Sequence, residues 1–438
     1  MDAKILFPKS NVNGSLLWSK TKALSKQESI KQSLLKLQAM GYWVSCFPEG
    51  DGVTFTHQSS NSDDEIFADF IDAFDWLAIS KATKSGNLEL ADLESDREIL
   101  CTVIVPLYKL KIETTFQISK YLFVCASEFD EAPQNRLGDF DGEYLEFKVS
   151  LLYQDLLKAN SSHIHNSVVI NKCLALAENA MDIIRYQFST FLKPEFTPNP
   201  AGQQADGFYV IEIIPEERTH LKPISLTGIS KPISFSNNWL GPEVELRIDR
   251  GIFYLMEVLD GRDDELALSV KDALRSCRQS FYALGDESRF LNLVFTLDGL
   301  AAPDKNWKGW KHRTYISALV SGSDLSKFKK VLKNYDRLYN DIRNKLVHAG
   351  ADFYELPSNP AQASEDIFLY IKDLIGLIEL NDFKKSEDLP NYAIRLLNDP
   401  NFVAAYNMVI SEVSATTGRA SQNCSWVSEL QKLTDGQT

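Results

Sequence analysis

From Gly251 onward the chain is a succession of helical patterns, and that run constrains the fold more than any other feature. Apolar residues recur at intervals of three and four over about 252–260, 263–284, 286–301, 309–321, 324–348, 361–380 and 388–397, with only short polar, Gly- or Pro-containing connections between them. Helices joined this closely bury their apolar stripes against one another, so the spacing predicts a helical bundle over 251–400. A further helix is expected at 403–413, within a C-terminal segment 401–438 whose end is polar and frayed.

The first 250 residues read differently. Capping boxes at Ser25-Lys26-Gln27-Glu28 and Ser62-Asp63-Asp64-Glu65 open two predicted helices, to about 40 and 77, on either side of a hairpin made from 42–47 and 53–57 around Gly50 and Gly52. Residues 14–18 are a candidate short strand. β-branched and aromatic runs then predict strands at 100–107, 115–125 and 143–151, with an acidic loop at 128–142. A long helix is expected at 168–191, ended by the Pro-rich stretch 194–202, and strands at 208–214, 224–235 and 244–248 follow. The expectation is therefore an α+β multidomain protein: a mixed α/β region at 1–200, a β-rich connector at 201–250 and an all-α bundle. A length of 438 residues agrees with more than one core.

Composition removes several function classes. Six widely separated cysteines give neither a disulfide framework nor a zinc spacing, and no metal or other cofactor is expected. No apolar run approaches the ~18 residues of a membrane span, and the protein is expected to be cytoplasmic. His163-Ile164-His165 has a spacing that could hold a metal but reads as a surface loop without a carboxylate partner. A net charge of −14 argues against a general polyanion binder.

The average hides a local reversal. Between Lys305 and Val347 eleven Lys and Arg face three Asp, a net +8 that leaves −22 for the rest. Trp307, Trp310 and Tyr315 interleave with these charges, a composition suited to phosphate contacts and base stacking; a solvated helix face is the alternative. In the 324–348 helix, Phe328, Val331, Leu332, Tyr335, Leu338, Tyr339, Ile342 and Leu346 form one core stripe. Arg343 lies at its edge, while Arg337, Asn340, Asn344 and His348 occupy the opposite face, and Asn344 and His348 are neighbours four apart. Ala349-Gly350 stops the helix just after His348.

The phrase from Tyr339 to Gly350 resembles the Arg-x4-His signature of HEPN domains, in the form of the Apea-like branch, and the resemblance spans roughly 251–380. It implies a helical bundle that dimerises so that two motifs face each other and cleave RNA without metal. In that reading Arg343 binds the scissile phosphate, His348 serves as acid or base, Asn344 orients one or the other, and the substrate 2′-hydroxyl attacks to leave a 2′,3′-cyclic phosphate. The acidic residue of the family's upstream helix would be Asp298. Gly350 stands where members paired with nucleotidyltransferase antitoxins carry a modifiable Tyr, which argues against that control. Weaker RNA contacts are expected from Lys311, His312, Arg313, Lys330, Lys333, Arg337 and Asn340. The biological setting implied is a growth-arrest or anti-phage effector whose first half responds to an unknown trigger. The alternative is a non-catalytic HEPN module that binds RNA or nucleotide or assembles a complex.

Overall fold

The computed structural model describes four strand segments in the first hundred residues (5–6, 15–19, 42–46 and 52–57), then 98–128, 142–152, 155–156, 159, 163–204, 208–216, 223–229, 238–240, 250–303 and 307–418. The predicted helices at 25–40 and 62–77, the strand at 244–248, most of the 128–142 loop and the end of the C-terminal segment lie outside the described residues. The chain divides into two compact units, one of Met1–Glu178 with Asn199–Ser234, the other of Asn179–Pro198 with Phe235–Thr438.

The first unit is antiparallel. β1 (Ile5–Leu6), β2 (Ser15–Ser19), β3 (Tyr42–Cys46) and β4 (Gly52–His57) form a sheet of order β1-β2-β4-β3, so the expected hairpin is present as β3 against β4. A larger sheet comprises β5 (Glu98–Pro106), β7 (Phe116–Ile118), β8 (Tyr121–Val124), β9 (Tyr144–Leu152), β10 (Phe208–Pro215) and β11 (Ile224–Ile229), in the order β11-β10-β5-β9-β8-β7. The short strand β6 (Leu110–Ile112) lies between β5 and β7 in the chain. The single strand expected at 115–125 is instead the hairpin of β7 and β8, turned at Ser119, whose φ of 52° admits the tight reversal.

Alternate residues of β5, namely Ile99, Cys101, Val103 and Val105, are buried on one face of this sheet, as are Leu145, Phe147 and Leu151 of β9. The first part of α1 (His163–Phe188) presents Ile170, Cys173, Leu174 and Ala177 as buried residues. Gly202, at φ +76°, is required twice over: a Cβ there would lie 2.8 Å from Leu174 and 3.3 Å from Val105.

Within the connector expected at 201–250, the described strands β10 and β11 do not stand apart from the sheet. β10 pairs with β5 from Glu212↔Ile104 to Pro215↔Cys101 and with β11 on its other side, so these two strands complete the sheet begun a hundred residues earlier. Pairing at that sequence distance leaves no local signal.

The second unit is helical. Its elements are the end of α1, β12 (Asn238–Leu240), α2 (Arg250–Leu259), α3 (Glu265–Phe281), α4 (Asp286–Ala301), α5 (Trp310–Ser321), α6 (Leu325–Arg337), α7 (Pro360–Leu380), α8 (Asp388–Leu397) and α9 (Pro400–Thr417). Phe191, just after α1, stacks on Phe281 of α3 at 4.2 Å and meets Phe368 of α7 edge-on, an aromatic triad at the base of the bundle. α9 reaches four residues beyond the expected 413 and packs Phe402 on Phe328 of α6, so it belongs to the bundle. Among the described residues no helix is long and apolar enough to cross a membrane.

Candidate active site

The site sits where α6 changes its winding. Asp324 caps α6, its side chain accepting from the Lys327 N–H at 2.9 Å, and Phe328, Val331, Leu332 and Tyr335 are buried as the core stripe requires. After Arg337 the helix continues in π form through Leu338–Arg343 and Lys345–Ala349, so that the Asn344 N–H donates to the Tyr339 carbonyl and the Gly350 N–H to that of Lys345. Leu338, Ile342 and Leu346 recur at strict intervals of four, and all are buried. In a regular α-helix that interval drifts by ~40° per step, which the wider winding absorbs. Gly350 ends the segment at φ +64° with open space around its missing Cβ, so its left-handed backbone is the reason for glycine there. Phe353 then anchors the chain to α4, its N–H donating to Glu287 at 2.9 Å and its ring meeting Phe290 edge-on.

Winding decides the geometry of the motif. Residues five apart on an α-helix point ~140° away from each other. Here Arg343 Nη1 donates to His348 Nε2 at 3.3 Å and to the Asn344 side-chain carbonyl at 3.1 Å, so the three motif residues form one cluster. This corrects the α-helical projection, which put Arg343 at the edge of the core stripe and His348 opposite it. A guanidinium only donates, and Nε2 is therefore the acceptor in this contact. Arg343 also lies over the Tyr339 ring, 5.0 Å from its centroid. Burial raises the Tyr339 phenol above its usual value, Arg343 and Arg313 opposing the shift and Asp298 adding to it. His348 and the neighbouring Val347 are exposed. The cluster combines a cation, an amide and an imidazole acceptor at the surface, the groups needed to hold a phosphate and move a proton beside it.

Asn340 joins the cluster from the turn before, its side-chain carbonyl accepting from Asn344 Nδ2 at 3.3 Å while its own Nδ2 donates to Asp336 at 2.7 Å. Several other predicted contacts are placed elsewhere. His312 is buried and donates Nε2–H to Asp298 at 2.9 Å, and Arg313 is buried in an ion pair with Asp336 at 2.7 Å, so neither presents its polar group to a ligand. Trp310 and Tyr315 are also buried, Trp310 against the Arg313 guanidinium and Tyr315 donating to the Ala301 carbonyl, which removes them as stacking platforms. Trp307 meets the Tyr315 ring edge-on at 4.8 Å.

The Lys-rich face is partly neutralised. Lys327 pairs with Asp373 at 2.7 Å and Lys333 with Glu412 at 3.5 Å, while Arg337 donates to Asn334 and Ser358. Lys311 is half-buried. Lys330, with Lys308 and Lys345, is exposed and joins no ion pair among the described residues. Away from this region, His165 lies in the first turn of α1 and pairs with Asp155 at 2.8 Å, so the expected loop around it is a helix start with a carboxylate partner. Among the described residues no three His, Cys, Asp or Glu are grouped to hold a metal ion.

Asp298 is not an isolated surface carboxylate. One of its oxygens accepts from both His312 and Tyr335, tying α4 to α5 and α6 beneath the motif. Burial, reinforced by Asp298, pushes the Tyr335 phenol well above its usual value, which keeps it a donor to that carboxylate. Asp336 and the Tyr339 ring had no separable signal in the sequence: the former read as one charge in a basic run, the latter as core. Compared with known protein families, with characterised proteins and with solved structures, the chain gives no significant match.

Proposed function

We propose that the helical unit is a metal-independent endoribonuclease of the HEPN type, with Arg343, Asn344 and His348 as its active residues. The observation that carries this reading is the 3.3 Å approach of Arg343 to His348 at the exposed end of a π-widened helix, with Asn344 bound to the same guanidinium nitrogen. Arg343 would hold the scissile phosphate, and His348 Nε2 would take the proton of the ribose 2′-hydroxyl as its oxygen bonds to phosphorus. The bond to the 5′ oxygen breaks, leaving a 2′,3′-cyclic phosphate, and the departing oxygen takes its proton from a second imidazolium. A second copy of the chain would supply that group, so the active form is a homodimer joined through this unit. The first unit would respond to a trigger, in the growth-arrest or anti-phage setting that the resemblance implies.

Full-length wild type, Arg343→Ala and His348→Ala are incubated with structured and single-stranded RNA in EDTA. Wild type should release 2′,3′-cyclic phosphate ends, and each variant should be slower by about 10²–10³. Equal cleavage by variant and wild type would sink the assignment. A second reading, a non-catalytic RNA-binding or assembly module, is favoured by the pairing of Arg313, Lys327 and Lys333 with carboxylates, which leaves a sparser basic face than composition suggested. RNA retained by wild type but left intact under every condition would choose it.

A further inference from the structure

We propose that Asp336 and Asn340 are positioning residues for Arg343, acting through Asn344 as a one-way relay of hydrogen bonds; this rests on the reading of Arg343, Asn344 and His348 as the phosphate site. Asp336, Asn340 and Asn344 succeed one another at intervals of four along one side of the helix. Asp336 is almost fully buried, and one of its oxygens accepts from Asn340 Nδ2 at 2.7 Å and lies 2.7 Å from Arg313 Nε in an ion pair.

A carboxylate can only accept, so the Asn340 amide must turn its NH2 toward Asp336 and its carbonyl outward. That carbonyl accepts from Asn344 Nδ2, which in turn aims the Asn344 carbonyl at Arg343 Nη1. Flipping either amide would set carbonyl against carboxylate or NH2 against NH2. The buried charge thus fixes the sense of every bond up to the surface.

The relay also closes on itself. Arg313, held by Asp336, lies 5.9 Å from the centroid of the Tyr339 ring, and Arg343 lies 5.0 Å from the same centroid. The guanidinium is therefore held by an amide carbonyl, an imidazole nitrogen and a ring, all of which engage Nη1 or the planar face. Among the described residues Nε is buried without a hydrogen-bond partner and Nη2 makes no hydrogen bond, which leaves Nη2 for an anion. An arginine is pre-aimed in this way without a carboxylate partner that would neutralise it, since the nearest charge of the relay sits two amides away.

The test uses the full chain and spares Asp336, whose loss would disturb the Arg313 pair and the fold. Asn340→Leu removes the relay while keeping the branched outline of the side chain, and Asn340→Asp keeps the shape but places an acceptor against an acceptor. Three quantities are compared with wild type: thermal unfolding, affinity for a 2′-O-methyl RNA oligonucleotide that cannot be cleaved, and the side-chain 15N resonances of His348, one of only six histidines. The relay predicts oligonucleotide binding about tenfold weaker or more in both variants, Asn340→Asp the weaker, with a shifted His348 Nε2 resonance as its donor is lost. A packing role predicts the opposite order, because Asp matches Asn in shape. Unchanged binding and unchanged His348 resonances in both variants would overturn the relay. Should wild type neither bind nor cleave RNA, the nuclease reading fails by itself, and the His348 resonances still decide the relay.

Discussion

The helical unit holds two Arg–His pairs, and they differ in what lies next to them. On α5, His312 and Arg313 are buried, and each faces an aspartate: Asp298 at 2.9 Å and Asp336 at 2.7 Å. On the π segment, Arg343 and His348 face each other and an amide, and neither forms an ion pair with a carboxylate among the described residues. Composition treats the two pairs alike. A cation already neutralised at short range has little left for a phosphate, whereas one held by neutral groups keeps its full charge for a ligand. The first pair builds the bundle and the second is free to act on something outside it.

The contrast can be broken from the structural side first. Asp336→Ala or Arg313→Ala leaves one buried charge without its partner, and each should destabilise the helical unit by about 3–5 kcal/mol, read from chemical denaturation. Arg343→Ala should stay within about 0.5 kcal/mol of wild type in the same assay. The proposed cleavage should reverse the ranking: Arg343→Ala should lose about 10²–10³ in rate. Arg343→Lys should recover only part of this, because an ammonium has neither a second nitrogen left for the phosphate once Asn344 and His348 are engaged nor the flat face for Tyr339. A wild-type rate for Arg343→Lys would show that charge alone suffices.

A smaller effect sharpens the buried side. His312→Phe keeps a ring near Tyr339 but leaves Asp298 with Tyr335 as its remaining donor there, which should cost about 1–3 kcal/mol while the folded fraction cleaves normally. If His312→Phe abolished cleavage without destabilising the unit, His312 would have to be moved into the active group. The smallest effect belongs to the exposed face. Lys330→Ala should lower the salt dependence of RNA binding by about one phosphate contact and leave stability within about 0.5 kcal/mol.

What the sequence made legible follows from what is local. Helices α2 to α8 were readable because a stripe at threes and fours and a stop residue lie inside each segment, as with Leu332, Tyr335 and Leu338 upstream of Gly350. The edge-to-edge pairing of β10 with β5 was not, since nothing in Phe208–Pro215 names a partner a hundred residues back. The motif residues were readable by type and spacing, but their contact was not, because the wheel assumed regular α winding through Arg343. The weaker candidates failed for a related reason. Trp310, His312 and Arg313 carry polar or basic groups on a helix that is buried on nearly every side, and periodicity cannot reveal a neighbour such as Asp336 that neutralises a charge from another helix.

The π segment makes the spacing of this motif a matter of pitch. Where the helix is wound normally, each N–H bonds to the carbonyl four residues back; between Leu338 and Ala349 it reaches five back, so the chain there carries surplus length that neither flank has to accommodate. Chain length and the geometry of the motif are thereby coupled at this one place. Removing a single exposed residue such as Lys345 would take out that surplus rather than turn the flanks, and would leave Arg343 and His348 positions four apart instead of five. A substitution at the same position would keep the spacing at five.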